Sequence, residues 1–309
     1  MNNIVAVIVT YNRIDMLRQC IQHVQAQTVL CDILIIDNAS TDGTEVFVQQ
    51  LADIRIHYYN TGENLGGAGG FNMGMKLAVE RGYDYVWIMD DDCLPKADSL
   101  EQLLLADKLL GSKENYGFLS SAVLWTDGSE CRMNRQKRVS EPKKEQQKHE
   151  AIDLEKIKQA TFVSLLIPAK TICRAGLPIK EFFIWGDDIE YTRRIALSEK
   201  MPSYLVKRSK VIHAMKNNAG SSIAVDDIER LARYEYAFRN EAFLYRKEGW
   251  KGVCYYCAKC GLNIGRIILK KNNHKAKRLK AIASGMIKGV FFNPKIEYCK
   301  QIDNKGSQK

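Results

Sequence analysis

Residues 83–92 read Tyr-Asp-Tyr-Val-Trp-Ile-Met-Asp-Asp-Asp, an apolar run that stops on three adjacent carboxylates. Aromatic and β-branched residues in a short run are strand material. Working outward, residues 4–10 (IVAVIVT), 33–37 (ILIID) and 54–59 have the same character. Between these runs, residues 14–25, 44–51 and 68–81 carry apolar side chains at helical spacing. Uninterrupted apolar strands alternating with helices predict a parallel α/β sheet covered on both faces. Ligands of such sheets bind beyond the carboxyl ends of the strands. Four polar clusters fall there: Thr10-Tyr11-Asn12, Asp37-Asn38, residues 64–70, and Asp90-Asp91-Asp92.

Further along, residues 97–110 read as a helix, and 116–125 and 161–167 as strands. Residues 132–158 are rich in Lys, Arg, Glu and Gln and read as a mobile, partly helical surface insertion. Residues 181–198 pass from an aromatic patch into a helix, and 203–215 form a strand ending near His213. From residue 226 the pattern is helical, over 226–247, 250–271 and 275–292. Two regions are therefore expected: an α/β domain over 1–225 and a basic helical region over 226–309.

The chain has 309 residues, 46% hydrophobic and 27% charged, which excludes wholesale disorder and collagen-like repeats. Its 46 Lys and Arg against 36 Asp and Glu give a net charge of +10. That balance predicts an anionic partner: nucleic acid, a lipid surface or a phosphorylated small molecule. Nine cysteines, an odd number, and an N-terminus without a secretory pattern point to free thiols in a cytoplasmic protein. No apolar run reaches the length of a membrane span.

The carboxylates carry the chemistry. Alternate side chains of an extended segment point the same way, so Asp90 and Asp92 bracket one hard cation, Mn²⁺ or Mg²⁺, with Asp91 aimed elsewhere. A solvated acidic turn is the alternative, and the strand-end position favours the cation. The glycine-rich segment at 64–74 allows close backbone approach, and a helix N-terminus after it favours phosphate. It is neither a Walker loop nor a dinucleotide fingerprint. Asp37 is placed to accept a hydrogen bond from a nucleobase imide, whereas Asp42 reads as a turn and cap residue. Trp185-Gly186-Asp187-Asp188 combines a sugar-stacking surface with paired carboxylates for a general base. Helix capping by the same aspartates is the competing reading. On its own, His213 reads as a core histidine.

Taken together, residues 7–13, 36–44, 64–70 and 90–92 resemble family 2 glycosyltransferases of the GT-A fold, over roughly residues 4–215. The Gly-Gly-Ala-Gly-Gly-Phe-Asn form, the triple Asp and the later Trp and Asp pair resemble the galactofuranosyltransferase branch and its rhamnosyltransferase relatives. The resemblance implies a mostly parallel GT-A sheet flanked by helices. It implies that Thr10, Asn12, Arg13 and Asp37 hold the nucleoside. Asn64, Gly66, Gly67 and Gly69 approach the ribose-diphosphate, and Asp90 and Asp91 serve it. Asp90, Asp92 and His213 hold the Mn²⁺ or Mg²⁺, Trp185 faces the sugar, and Asp188 is the base with Asp187 beside it. Because Gly186 separates Trp185 from the pair, which of the two is the base stays open. The segment Tyr234–Asn240 resembles an aromatic–Arg-Asn stretch that follows the catalytic domain in relatives and receives no role.

The implied reaction is inverting transfer of galactofuranose from UDP-galactofuranose, a sugar nucleotide donor, to a polyprenyl-linked glycan acceptor in bacterial O-antigen or capsule synthesis. A dTDP-rhamnose-dependent rhamnosyltransferase is the alternative. A basic nucleic-acid-binding module is the rival from another class; against it, the positive charge is concentrated near the C-terminus and no nucleic-acid motif is present. Between Arg246 and Lys280, eleven Lys or Arg stand against one Glu. Amphipathic helices of that kind lie on an anionic membrane surface, here the inner face of the cell membrane. Helical packing on the catalytic domain is the alternative, and a homo-oligomer stays open. Cys254, Cys257 and Cys260, three apart on a helix, read as one face rather than a zinc site.

Overall fold

The computed structural model describes residues 3–111 and 115–299. A ten-stranded sheet forms its centre, in the order β3-β2-β1-β4-β9-β6-β10-β8-β7, with β5 paired to β10. Strand β1 (Ile4–Thr10) is buried at every position. It lies parallel between β2 (Asp32–Asp37) and β4 (Tyr85–Asp90), and β3 (Ile56–Asn60) continues the parallel run beyond β2. Period-two alternation sends Ile4, Ala6 and Ile8 to one face, packed with helix α1 (Ile14–Gln25). Val5, Val7 and Val9 meet α3 (Gly66–Glu80) on the other face. Helix α2 (Thr44–Gln50) completes the crossovers.

Beyond β4 the strands run both ways. The elements are β5 (Cys93–Pro95), α4 (Ser99–Leu109), β6 (Leu119–Leu124), β7 (Lys137–Arg138), α5 (Lys143–Glu150), β8 (Leu154–Gln159), β9 (Leu165–Pro168), α6 (Ala169–Ala175), α7 (Asp187–Arg193) and β10 (Ser203–His213). Strand β9 is antiparallel to both β4 and β6, whereas β6 and β10 are parallel. The α/β class and the helix-flanked sheet hold; the sheet is parallel in its N-terminal half and mixed beyond.

The charged stretch at 132–158 is not a mobile appendage. Strand β8 pairs antiparallel with β10, and its Leu154 and Ile157 are buried in the cores on opposite faces of the sheet. The polar composition that hid this comes largely from α5, which buries no residue. Helix α3 starts earlier than the spacing indicated, at Gly66, so the glycines lie inside its first turns.

Three helices follow: α8 (Leu231–Lys247), α9 (Trp250–Leu269) and α10 (Lys275–Phe291). They share a core of their own that includes Leu231, Phe238, Tyr256, Ile267 and Ile282. After α10 the chain returns to the sheet. Leu177 N–H donates to the Glu297 carbonyl (2.8 Å), Lys76 pairs with Glu297 (2.7 Å), and Cys299 packs among the core residues of α3 and α6. Among the described residues, no helix is long and apolar enough to cross a membrane. All nine cysteines are free thiols. Cys254 and Cys257 are exposed while Cys260 is buried. A three-residue step falls about 60° short of a full turn, so the three do not share one face.

Candidate active site

The parallel strands deliver Thr10, Asp37 and Asp90 to one edge of the sheet. There the acid triplet is bound into a network. Thr10 Oγ1 donates to Asp91 (2.8 Å), and Arg13 bridges Asp91 (2.9 Å) and Asp92 (2.6 Å). Burial works against the Arg13 charge, but Asp91 and Asp92 outweigh it and raise its pKa. Burial lifts Asp91 to about 7 despite Arg13. Burial and then the neighbouring Asp92 lift Asp90 to about 7.

Residues far apart in the chain meet through a strand that the spacing did not reveal. Strand β5 pairs antiparallel with β10, setting His213 opposite Cys93, and Ala214 N–H donates to the Asp92 carbonyl (2.9 Å). His213 Nε2 then lies 3.0 Å from Asp92 Oδ1. Its Nδ1 donates to Asn134 Oδ1 (2.8 Å), which leaves Nε2 as the nitrogen facing the acids. Burial opposes the imidazolium, but the Asp92 hydrogen bond holds His213 up to about 10. Burial likewise opposes the Asp92 charge, and His213 and Arg13 outweigh it, keeping that carboxylate well below its usual range. One ligand atom from each of Asp90, Asp92 and His213 lies within 4.8 Å of the others. With the Nε2 proton of His213 displaced, two oxygens and one nitrogen, in a site where burial raises Asp90 and Asp91, fit a divalent cation such as Mn²⁺ or Mg²⁺.

The second acidic group lines the same cleft. A cavity of about 760 Å³ is bounded by Asp90, Asp92 and His213 and by Trp185, Asp187 and Asp188. Asp187 is the first residue of α7, with Gly186 preceding it at φ +91°. Burial, then Asp188, then Asp90 raise the Asp187 pKa; burial raises that of Asp188. Asp187 is therefore the member of the pair that feels the acid triplet. Trp185 packs edge-on against Tyr234, with ring centroids 5.0 Å apart.

Asp37 does not line the cleft: it is fully buried, accepting from Tyr58 OH (2.6 Å) and Ser40 N–H (2.9 Å). Asn12 Oδ1 accepts from Thr41 N–H (2.7 Å), tying the loops after β1 and β2 together. Asp42 accepts from Thr44 Oγ1 (2.6 Å) and from Ile14 N–H (2.9 Å), the turn and cap work expected of it. Asn64 Oδ1 accepts from Gly66 N–H (2.9 Å). A Cβ at Gly66 would meet the Phe183 carbonyl at 2.1 Å, and one at Gly69 would meet Leu65 at 2.5 Å. Gly67 has open space and lines the cleft. Of the three glycines, it is the one with room for a ligand.

Sequence reasoning missed Arg132, Asn134 and Arg135, which reach the cleft from the stretch read as an insertion, and Arg233 of α8. Nothing in their spacing marks them. Burial, Arg230 and Arg13 lower the Arg233 pKa, the sign of a cation held among other cations in a cleft that also holds acids.

This architecture is the GT-A fold of sugar-nucleotide transferases. The crystal structure of GalNAc-T7 with UDP, GalNAc and Mn²⁺ matches with a TM-score of 0.64 at 14% identity, over 94% of this chain and 57% of that one. The crystal structure of S. aureus TarS matches with a TM-score of 0.53 at 12% identity, over 94% of this chain and 44% of that one. Residues 5–110 match the model of Glycosyl transferase family 2. Galactofuranosyltransferase GlfT1 of Mycobacterium tuberculosis is 29% identical over 208 residues, 63% of this chain and 65% of the relative. The undecaprenyl-phosphate mannosyltransferase of Micrococcus luteus is 30% identical over 118 residues, 36% of this chain and 48% of the relative. The chain thus spans less than two thirds of the length of these curated relatives.

Proposed function

We propose that this protein is an inverting, metal-dependent glycosyltransferase that moves galactofuranose from UDP-galactofuranose to a lipid-linked glycan in the synthesis of a bacterial surface polysaccharide. The observation that carries the reading is the convergence of Asp90, Asp92 and His213 with Asp187 and Asp188 on one cleft. The family 2 domain and the likeness to GlfT1 support the class of reaction and the sugar.

In this mechanism Asp37 and Asn12 bind the nucleoside, and the backbone at Gly67 approaches the diphosphate. Asp90, Asp92 and His213 would hold a divalent cation, which when bound would neutralise the charge of the leaving nucleoside diphosphate. Arg13 sets the orientation of Asp91 and Asp92, and Asn134 sets that of His213. Asp188 takes the acceptor hydroxyl proton as that oxygen attacks the sugar C1; the new C–O bond forms while the C1–phosphate bond breaks. Asp187, beside the base, lines the same cleft and faces the acceptor. Trp185 supplies an apolar platform for the acceptor.

The enzyme works as a peripheral protein on the cytoplasmic face of the membrane. In support, α9 turns outward Trp250 (73% exposed), Leu262 (64%) and Leu269 (87%), with basic residues beside them at Lys251, Arg266, Lys270 and Lys271. Titration calorimetry with Mn²⁺ tests the donor: UDP-galactofuranose should bind, dTDP-rhamnose should not. The opposite preference would make the enzyme a rhamnosyltransferase, and binding of neither, with salt-sensitive binding to DNA, would overturn the whole reading.

A further inference from the structure

The loop leading into Asp187 and Asp188 is held in a conformation it would not adopt alone. Phe183 and Trp185 have φ of +62° and +63°, and Gly186 has φ of +91°. For the two aromatic residues a positive φ is unfavourable and persists only where surroundings enforce it. The enforcing group is on α8. Asn240 is fully buried. Its two Nδ2 hydrogens serve the carbonyls of Phe182 (2.9 Å), Trp185 (2.8 Å) and, through a shared bond, Ile184 (3.2 Å). Its Oδ1 accepts from Arg239 Nε (3.0 Å) and Nη2 (2.9 Å), so the guanidinium fixes which way the amide faces. The same guanidinium donates onward to the carbonyls of Glu181 and Phe182 and stacks on Phe292 at 4.0 Å. From the opposite side, Ala68 N–H of α3 donates to the Phe183 carbonyl (3.1 Å).

We infer that Asn240, oriented by Arg239, is a positioning residue for the Asp187–Asp188 pair: it locks the strained 182–186 loop so that the carboxylates face the acid triplet across the cleft. This rests on the reading of Asp188 as the base. Three carbonyl oxygens converging on one side chain require a donor. An aspartate of the same shape presents only acceptors there while still satisfying Arg239. Asn240→Asp therefore removes the lock without opening a cavity. Asp90 ends β4, Asp91 and Asp92 lie in the turn to β5, and His213 ends β10; the Asn240 side chain bonds instead to Arg239 and the 182–185 carbonyls, so nucleotide binding is spared.

Hydrogen–deuterium exchange of the unliganded protein, UDP calorimetry with Mn²⁺, and UDP release from UDP-galactofuranose together test the inference. In Asn240→Asp, amides of residues 182–190 and Ala68 should exchange at least about tenfold faster, kcat should fall by about 10²-fold, and UDP affinity should stay within about twofold. Wild-type exchange in the loop, or wild-type kcat, would overturn it. So would loss of UDP affinity in step with kcat, since that marks a general structural role. Should Asn240→Asp fail to fold, Arg239→Lys, which keeps the cation but loses the fork on Oδ1, is read by the same three measurements. Retained turnover in Asp188→Asn would refute the base assignment alone, because the exchange result stands independently of it.

Discussion

Asp188 and its neighbours carry more negative charge into a buried space than Arg13 and His213 offset. Burial raises Asp188, so the proposed base is protonated at a pH where an exposed aspartate is still ionised. The sign follows: as a base it must be ionised, so kcat should fall as pH drops below neutrality, along an acid limb lying above the usual carboxylate range. Asp188→Asn should abolish that limb and cost about 10²–10⁴-fold in kcat, with UDP affinity unchanged by calorimetry. Asp90 and Asp91, both raised to about 7, give a second consequence. Carboxyls with elevated folded pKa bind protons more readily folded than unfolded, so stability declines as pH rises from about 4 to about 7 and stays reduced above. A divalent cation relieves the same repulsion and competes with the proton. Mn²⁺ should therefore raise the melting temperature more at pH 8 than at pH 6 by scanning fluorimetry, and His213→Ala should flatten that difference.

At the scale of elements, α3 bears on the site through its first turn. Gly66 (φ +69°) abuts the Phe183 carbonyl, whereas Gly67 has open space. Gly66→Ala should lose about 2 kcal/mol or more in urea unfolding, through strain and displacement of the 182–186 loop. Gly67→Ala sits in a helix with nothing to strike and should gain about 0.5–1 kcal/mol, while weakening UDP binding if the diphosphate passes there. Equal destabilisation by the two would contradict the packing described. Much of this was legible in part. The glycine cluster is conspicuous in sequence, but its spacing says only that backbone comes close to something. The something is a loop 117 positions beyond Gly66 as well as the cleft, and sequence spacing holds no information about which glycine meets which.

For the molecule as a whole, the C-terminal helices are joined to the sheet domain by Asn240 and Arg239 at the 182–186 loop, by packing of Phe243 and Leu244 on Phe182 and Ala68, by the Arg193–Glu248 ion pair, and by the return of residues 292–299 to α3 and α6. Deleting them would expose core, so the membrane proposal is better tested by substitution. Trp250→Glu with Leu262→Glu changes two exposed residues and should leave the melting temperature within a few degrees. Flotation with phosphatidylglycerol vesicles should fall at least about tenfold, and wild-type binding should weaken with salt. Unchanged flotation of the double variant would remove α9 from the membrane contact.

The sequence by itself determined the alternation of strand and helix, both acidic groups and the strand-end position of the first. Each of these is written in short-range periodicity, which reports local burial. Tertiary structure decided the rest. His213 reads as a core residue until the antiparallel pairing of β5 with β10 brings it to an acid 121 positions away. Leu154 and Ile157 were hidden among charged neighbours, yet they seat β8 in the sheet and bring residues 132–135 to the cleft. Asn240 is one polar residue in a helix until three carbonyls of a strained loop converge on it. Register and non-local packing set these meetings, and they depend on how whole elements fit together rather than on the order of residues within any one of them.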